Sequence, residues 1–162
     1  MPARRIVVMG VSACGKSTVG LALADALGYG FQDGDDLHPA ANKEKMSAGV
    51  ALTDDDRWPW LADVGAALAD ADALVTACSA LKRGYRDAIR GQAPDAFFVH
   101  LHGSDAVLLE RATGREGHFM PPSLLASQLA TLEPLGDDEA GVVLDVADPV
   151  SALVDTAVAA VS

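Results

Sequence analysis

The sequence has few cysteines, few aromatic residues and no long apolar run. Its two cysteines, Cys14 and Cys78, stand 64 positions apart without a CxxC spacing. We therefore expect neither a disulfide framework nor a zinc site, and a cytoplasmic location fits this cysteine usage. No window approaches 18 uninterrupted apolar residues, so no membrane-spanning helix is expected. Arg4-Arg5 and the apolar residues that follow superficially resemble a lipoprotein signal, but the run is shorter than a secretory h-region.

Basic residues are also scarce. The 162 residues contain 12 Lys plus Arg against 23 Asp plus Glu, which gives a formal net charge of −11. Such a surface repels phosphate backbones and anionic lipids, so nucleic acid and membranes are not expected as partners. An anionic small molecule is still compatible with this charge, because a cleft can be locally basic inside an acidic protein. The length predicts a single domain over 1–162 with a substantial core.

Short apolar runs alternate with helical periodicity along the chain. The apolar runs predict strands at 6–9, 30–33, 73–78, 97–101 and 142–146. Helical spacing and capping signals predict helices at 16–27, 40–46, 53–68, 82–90, 104–112, 123–132 and 149–161. This alternation predicts an α/β fold, in which a five-stranded parallel sheet is covered by helices on both faces. Irregular stretches predict a substrate-binding insertion at about 36–60 and a mobile lid at about 111–122.

Residues 10–17, GVSACGKS, match the phosphate-loop pattern GxxxxGK[ST], between a predicted strand and a predicted helix. The glycines let successive N–H groups point at phosphate oxygens, and the helix N-terminus adds partial positive charge. Lys16 would reach the β- and γ-phosphates, and the Ser17 hydroxyl would bind Mg²⁺. ATP and Mg²⁺ are therefore the predicted cofactors. The predicted nucleotide-binding residues of this loop are Gly10, Ser12, Ala13, Cys14, Gly15, Lys16, Ser17 and Thr18.

Cys14 lies inside this loop, which removes the lipoprotein interpretation. A thiol near a helix N-terminus can have a lowered pKa. One hypothesis is therefore that Cys14 is oxidisable, and the alternative is that it is a small residue that fills space.

Two carboxylates follow the second predicted strand, in the stretch Asp33-Gly-Asp35. Because the carboxyl ends of parallel strands border the binding crevice, both side chains are expected at the site. Asp35 would orient an acceptor hydroxyl or take its proton, and Asp33 would hold Mg²⁺ through water. The alternative is an Asp-Gly turn with solvated carboxylates.

Basic residues follow the third predicted strand and the acidic run at 54–56. Lys82 and Arg86 can bind a carboxylate, for which arginine offers a planar two-point match. Arg57 is a further cation, and its alternative is a solvated side chain. For Lys82 and Arg86 the alternative is an exposed basic helix face.

The glycine-rich segment near 113–122 carries Arg115 and His118, with Arg111 beside it. Such a segment can close over ATP, deliver an arginine to the transferring phosphoryl group and exclude water. The alternative is a plain surface loop.

At this point several stretches together resemble the gluconokinases of the small P-loop kinase type, relatives of shikimate kinase and of nucleoside monophosphate kinases. They run across most of the chain in the same order and spacing. The most selective are DGDDLHP at 33–39 and CSALK at 78–82. The others are the phosphate loop, NKEKM at 42–46, LTDDDRWPWL at 52–61, RGYRD at 83–87, GHF at 117–119 and SQLATLE at 127–133.

The resemblance implies a three-layer P-loop kinase fold with sheet order 2-3-1-4-5, a mobile lid and a homodimer. It also implies ATP-dependent phosphorylation of D-gluconate at the 6-hydroxyl. Lys16, Asp35 and Arg115 would be catalytic, and Arg111 would flank adenine. The implied substrate-side residues are Asp35, His38, Arg57, Lys82, Arg86 and His118.

Two alternatives compete with this interpretation. One is a related kinase that phosphorylates shikimate or a nucleotide. A shikimate kinase would carry a Gly-rich stretch where this chain has Cys78-Ser-Ala-Leu, and a nucleotide acceptor would require a larger insertion. The other is an ATP-binding regulator without transfer activity, which would need neither Asp33 nor Asp35.

Overall fold

The structure is a computed structural model that describes residues 3–12, 14–114 and 122–162. Its sheet has five parallel strands in the order β2-β3-β1-β4-β5, which confirms the predicted topology. In chain order the strands are Arg5–Met9 (β1), Gly30–Asp33 (β2), Leu74–Ala77 (β3), Phe97–His102 (β4) and Gly141–Asp145 (β5).

The helices connect these strands and lie close to their predicted positions. They are Lys16–Leu27 (α1), Ala40–Ser47 (α2), Asp54–Asp70 (α3), Arg83–Gln92 (α4), Asp105–Gly114 (α5), Pro122–Thr131 (α6) and Val150–Val161 (α7). A 3₁₀ turn at Gly34–Leu37 was not predicted. None of the helices in the described part of the chain combines the length and apolar character needed to span a membrane.

Local sequence signals explain where α3 begins. Thr53 is its N-cap, and the Thr53 hydroxyl accepts a hydrogen bond from the backbone N–H of Asp56 at 3.2 Å. The Asp56 carboxylate accepts in return from the backbone N–H of Thr53 at 2.9 Å. This reciprocal capping box satisfies two N–H groups that would otherwise lack partners at the helix terminus. It starts the helix at a position that carries Arg57 into the site.

The core has two layers, one on each face of the sheet. Along β1, Ile6 and Val8 face the layer formed with α1, α5, α6 and α7, whereas Val7 and Met9 face α3 and α4. All four side chains are fully buried. A central strand of a parallel sheet is covered on both faces, so its side chains are apolar on both. The unbroken apolar run Ile6–Met9 predicts a buried strand for this reason.

The strand register brings the phosphate loop, β2 and β3 to one edge of the sheet. Asp33 pairs with Ala77, which pairs with Val8 of β1, so these strands end at the same level. At Gly10, φ is +148°, and a Cβ there would lie 2.6 Å from the carbonyl oxygen of Leu101. Only glycine fits this turn, which directs the loop across the carboxyl ends of the strands.

Candidate active site

Two adjoining pockets open at this edge of the sheet. The smaller, which we call the phosphate-loop pocket, has a volume of about 270 Å³, and residues 15–18 contribute to its lining. The larger, which we call the side pocket, has a volume of about 500 Å³, and its lining includes His38, Arg57 and Gln128. Ser12 and Asp35 line both pockets. The site therefore consists of two chambers that meet at these two residues.

The phosphate loop presents its polar groups to the smaller pocket at the N-terminus of α1. Lys16 Nζ donates to the carbonyl oxygen of Val11 at 3.1 Å. Ser17 Oγ donates to Asp33 Oδ2 at 3.1 Å. The unbonded N–H groups of a helix N-terminus and a nearby ammonium group favour binding of an anion such as phosphate. Ala13, predicted to belong to this loop, lies outside the described residues.

Ser17 and Asp33 have the chemistry of a magnesium site. Mg²⁺ binds oxygen ligands octahedrally at about 2.0–2.1 Å, which separates adjacent ligand oxygens by roughly 3 Å. The 3.1 Å between Ser17 Oγ and Asp33 Oδ2 fits two neighbouring positions of such a shell. These residues can therefore hold Mg²⁺ together with water and phosphate oxygens.

Asp35 stands in the opening between the pockets, in the 3₁₀ turn that follows β2. Its backbone N–H donates to Asp33 Oδ1 at 3.0 Å, and its side chain is 80% exposed. Partial desolvation by the pocket walls, and then the charge of Asp33, raise the pKa of Asp35. The turn requires a glycine at position 34, because a Cβ there would lie 2.5 Å from the carbonyl oxygen of Ala77. Close contact between this turn and β3 positions the Asp35 carboxylate.

His38 forms part of the side-pocket wall. Its ring stacks on Trp60 with 3.9 Å between centroids, and its Nδ1 lies 3.2 Å from the Asn42 amide nitrogen. Burial lowers the pKa of His38, and the charges of Lys43 and Arg57 lower it further. His38 is therefore a neutral imidazole at neutral pH, with Nε2 4.0 Å from Asp35 Oδ1.

The predicted substrate-side cations Arg57 and Lys82 lie around Asp54 and Tyr85. Arg57 Nη1 donates to the Tyr85 hydroxyl at 3.2 Å, and Lys82 Nζ lies 3.8 Å from Asp54 Oδ2. The Tyr85 hydroxyl donates to Asp54 Oδ1 at 2.5 Å. This hydrogen bond, followed by the charges of Lys82 and Arg57, lowers the pKa of Asp54. Burial, with a contribution from Asp54, raises the pKa of Tyr85 to about 12. The cluster therefore holds two cations beside one carboxylate.

Arg86 does not face either pocket. Its side chain is 0% exposed, and its Nε and Nη2 donate to the Glu139 carboxylate at 2.8 and 3.1 Å. Its remaining bonds go to the carbonyl oxygens of Ala80 and Pro134. The prediction that Arg86 binds the substrate is therefore wrong, because this buried guanidinium makes its hydrogen bonds inside the protein.

Cys14 belongs to the phosphate loop, but its side chain packs in the core and is 2% exposed. Burial raises the pKa of its thiol, and the charge of Lys16 offsets only part of that effect. The hypothesis of a lowered pKa is therefore wrong. The helix N-terminus that suggested it is present, but desolvation of the thiolate outweighs it.

The predicted nucleotide and lid residues are only partly described. Arg111 donates to the carbonyl oxygen of Val146, just beyond β5. Arg115 and His118 lie outside the described residues, as does most of the predicted lid. Their roles stay predictions.

Two further residues at the site were not assigned a role from the sequence. Tyr85 joins Arg57 to Asp54, and Gln128 bonds to Ser12. Both lie in stretches that resemble a known family, RGYRD and SQLATLE, but their partners are distant in sequence. Family resemblance was the only signal that marked them.

The sequence matches a known family of kinases over most of its length. Residues 12–133 match the Shikimate kinase family. With its phosphate loop and five-stranded parallel sheet, this match shows that the chain belongs to the small P-loop kinases of that family.

Within that class the similarity is to gluconokinases. The chain is 55% identical to a gluconokinase of Gluconobacter oxydans (strain 621H) over 140 residues, which cover 84% of this chain and 79% of that protein. It is 46% identical to a probable gluconokinase of Xenopus tropicalis, with 92% and 88% covered. The crystal structure of a gluconokinase from Sinorhizobium meliloti 1021 matches with a TM-score of 0.92 and 54% identity, covering 98% of this chain and 91% of that one. The chain is a gluconokinase-family kinase.

Proposed function

We propose that this kinase transfers the γ-phosphoryl group of ATP to the 6-hydroxyl of D-gluconate, forming ADP and 6-phospho-D-gluconate. The observation that carries the proposal is the junction of the two pockets, where Ser12 and Asp35 line both chambers. A phosphoryl donor in one chamber and a hydroxyl acceptor in the other would meet there. The gluconokinase names of the relatives support gluconate as the acceptor.

The phosphate-loop pocket would bind the triphosphate. Bound Mg²⁺ supplies charge neutralisation on the β- and γ-phosphate oxygens, and Ser17 and Asp33 would hold it. Lys16 would exchange its hydrogen bond to Val11 for the phosphate oxygens. The cost of aligning these groups is low, because the loop and the end of β2 are already adjacent.

The side pocket would orient the sugar acid. Asp35 would accept the proton of the 6-hydroxyl as the new O–P bond forms and the bond to the leaving ADP breaks. Arg57 and Lys82 would bind the carboxylate at the other end of the substrate, and the neutral His38 would hydrogen-bond a hydroxyl. Holding the carboxylate determines which hydroxyl is presented to the phosphoryl group.

Further features of the proposal rest on the sequence. A single kinase domain over 1–162 would have its acceptor-binding insertion at about 36–60 and its lid at about 111–122. Arg111 would flank adenine, and Arg115 or His118 would contact phosphate from the lid. The resemblance supports a homodimer, and the exposed Trp58 offers apolar surface for a subunit contact. The two buried free thiols fit a cytoplasmic location.

A panel of acceptors tests the proposed reaction. ADP release, measured in a coupled assay, is expected with D-gluconate and to be much lower with other sugar acids, shikimate and nucleoside monophosphates. ADP release that depends on shikimate or a nucleotide instead would identify a different acceptor. ADP release that no acceptor stimulates would favour a regulator without transfer activity.

Asp35→Asn is expected to lower kcat about 10²- to 10⁴-fold, because the amide cannot accept the hydroxyl proton. Binding of a non-hydrolysable ATP analogue, measured by calorimetry, should be largely retained, since the substitution leaves Lys16, Ser17 and Asp33 unchanged in the phosphate-loop pocket. Asp36→Asn, an exposed neighbour, is the matched control and should turn over normally. Near-normal turnover by Asp35→Asn would remove its proposed role.

A further inference from the structure

Gln128 of α6 bonds to the phosphate loop across 116 residues of sequence. The backbone N–H of Ser12 donates to Gln128 Oε1 at 2.7 Å. The Gln128 Nε2 group donates to Ser12 Oγ at 2.9 Å. One amide therefore binds both the backbone and the side chain of Ser12. A primary amide offers one acceptor oxygen and donor N–H groups in fixed geometry, so this two-point contact restrains the orientation of the residue.

The restrained residue lies at a decisive position. Ser12 lines both the phosphate-loop pocket and the side pocket. Its neighbour Val11 accepts hydrogen bonds at its carbonyl oxygen from Lys16 Nζ and from the backbone N–H of Cys14. The Val11 carbonyl and the Ser12 N–H belong to the same peptide group. Gln128 therefore binds the N–H of this group, and Lys16 binds its carbonyl oxygen.

Helix α6 is at the same time a wall of the side pocket. Ser127, Gln128 and Thr131 all line that pocket. Just beyond the helix, the backbone N–H of Glu133 donates to the carbonyl oxygen of Leu81 at 2.7 Å, and Leu81 lines the same pocket. A ligand that packs in the side pocket therefore contacts the helix whose amide holds the phosphate loop.

From this arrangement we infer that Gln128 is a positioning residue that couples occupation of the side pocket to nucleotide affinity. The inference rests on the proposed function, in which the side pocket binds the sugar acid. An acceptor lodged against α6 holds Gln128 in place, and Gln128 holds Ser12 in the orientation that the phosphate loop needs. Coupling between two sites is reciprocal, so ATP must raise acceptor affinity by the same factor.

The test measures the Kd of a non-hydrolysable ATP analogue by calorimetry, with and without saturating D-gluconate. In the wild type, gluconate is expected to lower this Kd about fivefold or more, within the usual range of coupling between sites. In Gln128→Ala the ratio of the two Kd values should fall close to 1. A merely structural contact would weaken both Kd values equally and leave the ratio unchanged, which would overturn the inference.

Two more variants complete the test. Gln92→Ala makes the same type of substitution at an exposed position on α4 and should keep the wild-type ratio of the two Kd values. Ser12→Ala deletes one of the two hydrogen bonds but keeps the backbone N–H, so an intermediate ratio is expected even if Gln128→Ala folds poorly. A wild-type ratio near 1, or an unchanged ratio in Ser12→Ala, would refute the coupling.

Two different results distinguish failure of the proposed function from failure of the coupling. If the wild-type enzyme releases no ADP with D-gluconate and calorimetry detects no gluconate binding, the acceptor assignment fails. If gluconate is phosphorylated but the Kd ratio does not respond to Gln128→Ala, only the coupling fails.

Discussion

At the scale of single residues, Cys14 illustrates how packing can reverse a local electrostatic effect. Its Sγ would lie 2.8 Å from a Cβ at Gly10, and it packs in the core with Val11 and Leu101. The thiolate would lose its hydration there, and this loss exceeds the favourable effect of Lys16. Because the thiolate is the reactive form, a buried thiol with a raised pKa reacts slowly.

We therefore expect Cys14 and Cys78 to resist alkylation in the folded protein. Burial raises the pKa of Cys78 to about 12 and that of Cys14 above its usual value. At pH 8, iodoacetamide should leave the native chain unlabelled over a time that fully labels a urea-denatured sample, as judged by intact mass. Rapid, stoichiometric labelling of native Cys14 would contradict its described burial.

Much of the candidate site follows from short motifs in the sequence. The phosphate-loop pattern and the Asp-Gly-Asp stretch indicate Lys16, Ser17 and Asp33, whose side chains the structure brings to one pocket. Arg86 and Gln128 were not predictable in the same way. Their partners, Glu139 and Ser12, lie 53 and 116 positions away, and no local pattern reports such a pairing.

At the scale of elements, α4 turns part of its basic face inward. Arg86 and Arg90 both bond to Glu139, which precedes β5. Burial opposes ionisation of Glu139, but hydrogen bonds from Arg86, Gly136 and Arg90 lower its pKa to about 2. The cluster joins α4 to the segment before the edge strand. Arg86 also binds the carbonyl oxygen of Ala80, whose φ of +45° is unusual for a residue other than glycine.

Removing Arg86 should therefore destabilise the whole fold. Arg86→Ala leaves the buried Glu139 carboxylate without two of its hydrogen-bond donors, and we expect a loss of about 3–5 kcal/mol in the free energy of unfolding. Urea denaturation measures this loss. Arg83→Ala is the matched control, because Arg83 pairs with Asp138 at the surface and should matter far less. Equal effects of the two substitutions would refute the assigned importance of the buried pair.

Helix and strand positions were largely predictable because periodicity and caps are local. The predicted bounds of α1 and β2 agree with the structure. The 3₁₀ turn at Gly34–Leu37 was missed because its sequence, GDDL, is too short to carry a periodic signal. Contact with Ala77 and the indole hydrogen bond from Trp60 to the Gly34 carbonyl oxygen stabilise that turn, and both come from other elements.

At the scale of the whole molecule, the net charge of −11 does not describe the charge near the side pocket, where basic and acidic side chains lie together. The cations near the side pocket are not free, because Arg57 and Lys82 both lie beside Asp54. An incoming carboxylate would therefore join an existing ion cluster instead of neutralising an isolated positive patch. The sheet order was predicted by family resemblance, since alternation of strands and helices alone does not specify which strands are neighbours.

Stability should decline in acid in two steps. His100 is 1% exposed, and its ring nitrogens have no hydrogen-bond partner among the described residues. Burial, with the charges of His102 and Arg86, lowers its pKa to about 4, so the unfolded chain binds the proton first. The neutral His100 ring therefore stabilises the fold fully above about pH 6.5. The free energy of unfolding falls by roughly 3 kcal/mol as the pH drops towards 4. Below pH 4 the carboxylates of Asp56, Asp138 and Glu139, with pKa values of about 2, add a second loss.

Urea unfolding from pH 7 to pH 3 tests this profile. His100→Phe removes this titrating ring and should reduce the slope between pH 6.5 and 4, where His38 still titrates, while leaving the decline below pH 4. The non-titrating control Gln92→Ala should reproduce the wild-type profile. An unchanged slope in His100→Phe would show that other groups cause the first loss.

The stack of Trp60 on His38 gives the molecule its own optical probe. The chain has two tryptophans, Trp58 and Trp60, and both lie in the first turns of α3. Trp60 lines the side pocket, whereas the exposed Trp58 lies edge-on to Tyr85, a residue of the pocket wall. Since indole emission responds to what lies against the ring, the emission of Trp60 should change when a ligand fills this pocket. Occupation of the pocket can be followed in the unmodified protein, without a label.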